Sequence, residues 1–290
     1  MKFKYFMIAA SIFLLGFASC SSDDAASESG GEPKNVTVKI SRPTTYAEGE
    51  TAVGVTPDIY DADVFFIGGG VVLERGSMNN TEVLSGKTFI DIPGAATEII
   101  IVGNAGHLSS PSLPTTGPTA IDTKAKLEAV MFEHSKQTHA KTDVNLLGSG
   151  TITGTGDVTV SVAVRPAISR IEIGEIGVKT TGATIPLADF KLTGIYINNT
   201  YKKVSLDYKT VPVALADILA YGAAAPEFTN GSYPSEFKDE WTAAGVTAAP
   251  SFTPVLATDK WGYFVMPPVE NKGTTIDGNT KTSIPHVIIK

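Results

Sequence analysis

One thiol and four imidazoles are the side chains of this chain best suited to chemistry. The thiol is Cys20, the single cysteine among 290 residues. A thiolate is a nucleophile and can carry a covalent group. The imidazoles are His107, His134, His139 and His286. In "EHSKQTH" His134 and His139 stand five residues apart. That spacing does not put both on one helix face, and it is not the His-Glu-x-x-His pattern of a zinc site. A solvated or helix-end histidine is the plain reading. "FIGGGVV" has three glycines between apolar runs. It lacks the following helix and the spaced lysine that a phosphate cradle needs, so it reads as a turn or bulge. There is no Gly-x-Ser-x-Gly elbow, and the carboxylates are scattered through loop-like stretches. Trp241 and Trp261 could stack on sugars, but Trp261 lies inside the strand-like "KWGYFVMP", where a sheet-face role is the default. No enzyme, metal site or cofactor is expected, and Cys20 is left as the one reactive position.

The residues around Cys20 say what its reaction is. Lys2 and Lys4 precede a 12-residue apolar run from Phe6 to Phe17. A bilayer span needs about 20 apolar residues, so this run fits the core of a secretory signal. Ala18 and Ser19 are small, and Cys20 follows directly. This arrangement resembles the lipobox of bacterial lipoproteins, with Phe17 in place of the usual aliphatic residue. The resemblance implies that residues 1–19 are removed and that Cys20 takes a diacylglycerol and a further acyl chain such as palmitate. Each methylene buried in the bilayer contributes about 0.8 kcal/mol, so several chains hold a protein firmly. The other reading is a free thiol beside a removed signal, a liability in an exported protein. Residues 20–34 read as a flexible acidic tether, because Ser21 to Pro33 holds no large apolar residue. Its "SSDD" resembles signals that send lipoproteins of Gram-negative bacteria to the cell surface; a plain solvated linker is the alternative.

Without Lys2 and Lys4, 21 basic residues face 30 acidic ones, a formal charge of −9. An acidic surface argues against nucleic acid as a partner. Length suggests two domains, 35–150 and 151–290, with the boundary at the loop-like "GSGTITGTG". Neither can be stapled by a disulfide, so both need ordinary apolar cores. Most of the pattern is β. Runs such as Val36–Ile40, Ala62–Ile67, Thr88–Ile92, Glu98–Val102, Asp157–Val164 and Trp261–Met266 are separated by Gly, Pro, Asn and Thr at the spacing of a β-sandwich. In "DVTVSVAV" the valines at 158, 160, 162 and 164 share one face. Helices are few: 124–135, with Leu127, Val130 and Met131 on one side, and weaker candidates at 213–221 and 234–244.

Four motifs in order carry a family resemblance. They are "VAVRPAISRIEIGEIGV" with Arg165, Arg170 and Ile171; "FKLTGIYINNTYKKVSL" with Leu192 to Asn198; "KWGYFVMPP"; and "IPHVIIK". With the lipobox in front, they resemble the fimbrillins, pilus-subunit proteins of Gram-negative anaerobes. The resemblance implies a mainly β fold of two tandem transthyretin-like Greek-key β-sandwich domains with a few short helices. It also implies a lipoprotein exported to the outer membrane and cell surface, which joins a fimbrium by donor-strand exchange and takes part in cell adhesion. Its partners would be other pilus subunits, with host or bacterial surface ligands as a further possibility. The alternative is a monomeric surface lipoprotein that binds glycans or host proteins.

In such assembly the first strand of a subunit is removed by an arginine-directed protease, and a neighbour's strand fills the place. Here the candidate removable strand is Val36–Ile40, with Val36, Val38 and Ile40 facing the core. The candidate processing loop follows, with Arg42, Tyr46 and Ala47. The usual arginine before a small residue is missing: Tyr46 precedes Ala47, and Arg42 precedes Pro43. The chain also stops on a strand-like run at Lys290, without the further donor strands of the family, so the C-terminal domain is expected to be incomplete.

Overall fold

Alternating β-branched residues set the strands at 34–41 and 157–163, and glycines decide how closely the sheets pack. The computed structural model describes residues 31–42, 57–117, 119–137, 143–173, 176–177, 192–198, 201–209, 238–240, 251–252, 261–266 and 286–289. The chain opens with β1 (Lys34–Ser41). A hairpin of β2 (Asp61–Gly68) and β3 (Val71–Asn79) follows. It turns on Gly69 and Gly70, at φ 58° and 83°, values that favour glycine. The three glycines of "FIGGGVV" therefore make a turn, as their sequence suggests. Helix α1 (Asn80–Ser85) leads to β4 (Lys87–Ile92), and β5 (Glu98–Gly103) comes next. The short helices α2 (Ala105–Leu108) and α3 (Lys124–Glu128) precede β6 (Met131–Glu133). Then come β7 (Leu146–Thr151), β8 (Asp157–Ala163), β9 (Arg165–Pro166), β10 (Ser169–Ile173) and β11 (Ile176–Gly177). The described strands after these are β12 (Gly194–Asn198), β13 (Lys203–Ser205), β14 (Lys238–Glu240), β15 (Ser251–Phe252), β16 (Trp261–Val265) and β17 (His286–Ile289).

Two sheets face each other around the main core. One has the order β4-β1-β8 and the other β3-β2-β5-β7-β9. Phe66 of the larger sheet meets Phe89 of the smaller edge-on, ring centroids 5.2 Å apart. Three glycines of the larger sheet let the smaller one come close. A Cβ on Gly76 would lie 2.3 Å from the Phe89 ring, and one on Gly150 would lie 3.0 Å from Val162 and 3.2 Å from Val160. At Gly148 it would lie 2.7 Å from the Ala163 carbonyl oxygen. The valines of β8 occupy that space, and Val162 is fully buried.

The stretch expected to mark the domain boundary takes part in this packing. "GSGTITGTG" begins inside β7, which pairs residue by residue with β5 from Glu98↔Thr151 to Gly103↔Leu146. Strand β8 then crosses to the smaller sheet, and β9 returns to pair with β7 at Leu146↔Pro166. Residues 157–168 thus belong to the first core, which also takes in Tyr201, Val204, Leu206, Phe264 and Met266. Glycine in a strand marks close approach of a neighbour as well as a turn; here close approach is the reason.

Buried amides pin the segments that adjoin the larger sheet. Asn104 donates to the carbonyls of Asp58 and Val144, each at 2.8 Å, and accepts from the Tyr60 amide. Asn145 donates to the carbonyls of Gly103 and Ser110 and accepts from Gln137. Both asparagines are fully buried. Such buried groups are tolerated because each is paired.

The helix expected over 124–135 ends at Glu128, because Met131–Glu133 pairs instead with β13 and sinks Phe132 into the core. The helix expected at 234–244 is interrupted by β14, which pairs with β12. The helix expected at 213–221 lies outside the described residues. Helix α1 was not expected, although Asn79 and Glu82 form a capping box visible in "NNTEVLSG".

A second apolar cluster joins Leu192, Ile195, Ile197, Tyr263 and Val265. Strand β16 serves both cores. Tyr263 and Val265 face the second, with Ile171 and Ile173 of β10, while Phe264 and Met266 face the first.

Candidate functional site

Strand β1 is the centre of the candidate site, because it is the middle strand of its sheet. On one side it runs parallel to β8, in register from Asn35↔Asp157 to Ser41↔Ala163. On the other it runs antiparallel to β4, with Val36↔Phe89, Thr37↔Thr88 and Val38↔Lys87. Both rows of its backbone groups therefore meet neighbours far away in sequence. Taking β1 out would leave β4 and β8 as separate banks with unpaired backbone groups and an apolar floor.

The side chains alternate as "KNVTVKIS" suggests. Val36 and Val38 are fully buried, and Ile40 is half-buried against the same core. Thr37 turns outward and its hydroxyl meets that of Thr88 at 2.8 Å. Lys39 is exposed. Asn35 spans both banks: its amide nitrogen donates to the Asp157 carboxylate at 2.8 Å, and its oxygen accepts from the Asp91 amide at 3.4 Å. Shifting β1 by one residue would turn Asn35 into the core and Val36 into solvent, so the register is strongly set.

Lys34 is the residue that sequence reasoning missed. The tether was expected to extend through residue 34, but β1 begins there and Lys34 is only 5% exposed. Its ammonium donates to the carbonyls of Ala96, at 2.7 Å, and Gly94, at 3.2 Å. These belong to the turn between β4 and β5. Period two could have revealed it, since Lys34 stands two residues before Val36; its charge argued for solvent.

Helix α1 steadies the β4 bank. Glu82 accepts from the Asn79 amide at 2.9 Å and from Lys87 at 3.2 Å. The backbone bond first, and then Lys87, hold the Glu82 carboxyl below its ordinary range.

At the other end of β1, the Ser41 carbonyl accepts from the Val164 amide at 3.1 Å. Arg42 Nη1 then lies 3.8 Å from Asp58 Oδ1. Arg42 and Asp58 are thus brought near each other. Cys20, Tyr46 and Ala47 lie outside the described residues, so the structure brings Arg42 alone of the expected processing residues to the end of β1.

The remaining candidates have structural surroundings. His107 stacks on Tyr60, centroids 4.0 Å apart, and its Nε2 lies 3.8 Å from Asp143. His134 is buried, with Nε2 2.9 Å from the Phe264 carbonyl oxygen. His286 and Trp261 open β17 and β16. His139 and Trp241 lie outside the described residues. Among the described residues, no cluster of His, Cys, Asp and Glu could hold a metal ion. Among them, too, no helix is long and apolar enough to cross a membrane.

The sequence matches no family model, and no curated protein matches it. Solved structures do resemble the fold. A Bacteroides eggerthii protein to which cell adhesion is ascribed is 18% identical, over 89% of this chain and 80% of that one, with a TM-score of 0.56. A Parabacteroides distasonis protein, also ascribed to cell adhesion, is 14% identical over 90% and 75%, with a TM-score of 0.49. A Porphyromonas gingivalis fimbrilin is 13% identical over 89% and 71%, with a TM-score of 0.45. At 18% identity and a TM-score of 0.56, the likeness to the Bacteroides eggerthii protein is one of fold, and that fold is mainly β.

Proposed function

We propose that this chain is a structural subunit of a cell-surface fimbria, exported as an outer-membrane lipoprotein through Cys20 and assembled by donor-strand exchange. The observation that carries this reading is the position of β1. It is an N-terminal strand, central in its sheet, with both backbone edges paired and its valines in the core. A strand so placed can be replaced only by another strand, because its departure opens a trench that needs both backbone partners and alternate apolar side chains. The role is structural and non-enzymatic, and other subunits are the partners.

Release of β1 by an arginine-directed protease is not part of the proposal. Arg42 is followed by proline, and its guanidinium is drawn toward Asp58. Both features oppose an arginine-directed cut. The chain is therefore either an untrimmed pilus anchor that stays on its lipid, or a subunit whose β1 is released by a protease of other specificity, which opens its place to a neighbour's strand.

Electron microscopy of surface material, with labelling by acyl-chain precursors, tests the proposal. Fibres carrying this chain, and lipid label lost in Cys20→Ala, are expected. A chain found only as a monomer, with no fibres and an unmodified terminus elsewhere, overturns it.

A further inference from the structure

We infer that Lys34 selects the strand that can fill the place of β1: an incoming strand must carry a lysine in the register of Lys34. The inference rests on the strand-exchange reading and specifies the partner's chemistry. Ala96 is fully buried, and its carbonyl receives the Lys34 ammonium. The Gly94 carbonyl receives the same group. With β1 gone, both oxygens would face a trench whose walls include Phe89, Ile92, Val160 and Val162. A buried acceptor left without a donor costs far more than a solvated one.

The trench thus has a polar end and an apolar floor. An aliphatic residue at the first position would fill space and leave two carbonyls unpaired. A carboxylate would set negative oxygens against them. Arginine carries a wide planar fork, whereas lysine ends in a compact head with three donors. The remaining positions follow from β1. The second and fourth residues after the lysine are small and β-branched, as at Val36 and Val38, and the sixth is aliphatic, as at Ile40. An amide directly after the lysine can reach Asp157, as Asn35 does. The partner is therefore an extended segment beginning with lysine, parallel to β8, with apolar residues at every second place.

The test uses the full mature chain with a specific protease site inserted between residues 43 and 56. The chain is nicked, and fluorescent peptides reproducing residues 33–42 are offered in excess. One peptide has the natural sequence and another carries Lys34→Met. Anisotropy follows their entry and release. The Met peptide is expected to leave about tenfold faster, since it forfeits charge-assisted bonds to the buried Ala96 carbonyl and the half-buried Gly94 carbonyl. Entry of both peptides with equal release rates overturns the role of Lys34 and leaves strand exchange standing. Entry of neither overturns strand exchange, and this inference with it.

Discussion

Val38 of β1 stands opposite Val160 of β8 in a parallel ladder, and the two residues are 122 positions apart in the chain. Parallel pairing at such separation joins the start of the protein to the strand that closes its first core. Val38 is fully buried, so Val38→Ala would leave a cavity at the middle of the sheet. The expected loss is about 2 kcal/mol of stability. Urea unfolding should show a lower midpoint with an unchanged slope. The outward Lys39→Ala should leave the midpoint nearly where it is.

The glycines of β7 predict an asymmetry between two similar substitutions. Gly148→Ala sets its methyl 2.7 Å from the Ala163 carbonyl oxygen and 2.9 Å from Val162 and Val164. Backbone cannot give way cheaply, so about 1–3 kcal/mol should be lost. Gly150→Ala meets only valine methyls, at 3.0 and 3.2 Å, and should cost less. Thermal unfolding of the two variants side by side checks the order. A larger loss at Gly150 would contradict the packing described here.

Tyr208 gives the protein an alkaline limit. Its hydroxyl donates to the Ala167 carbonyl at 3.1 Å, and burial pushes the phenol from 10.0 up to about 12. The unfolded chain then loses this proton before the folded chain does. Stability from this group is complete below pH 10 and falls as pH rises from 10 toward about 12. Tyr208→Phe removes the hydrogen bond, costing about 1 kcal/mol below pH 10, and should also flatten the alkaline decline. Denaturant unfolding at one pH below 10 and one between 10 and 12 measures both effects.

Arg42 and Pro43 govern processing. Arginine-specific protease is expected to leave the wild-type loop uncut, because the proline ring restricts the bond after Arg42. Mass spectrometry of surface-isolated protein should then find an intact terminus at Cys20. Pro43→Ala should admit a cut after Arg42, and adding Asp58→Ala should speed it by freeing the guanidinium. A wild-type terminus at Pro43 would show that the steric argument fails. A terminus near Tyr46 or Ala47 would point to an enzyme of other specificity and an ordinary stalk subunit.

Much of this protein is readable from residue order. Alternation in "NVTVKI" and "DVTVSVAV" marks two half-buried strands and tells which side of each is apolar, because side chains in a strand point to opposite faces in turn. What period two cannot report is a neighbour. That β1 lies between β4 and β8, and not at an edge, depends on pairing across 51 and 122 residues. Gly148 and Gly150 look like a linker until the β8 valines stand over them. Lys34 looks like the end of a tether until two carbonyls from a distant turn meet its ammonium. Short-range pattern sets which residues can be buried together; only contact between remote segments sets what each of them is buried against.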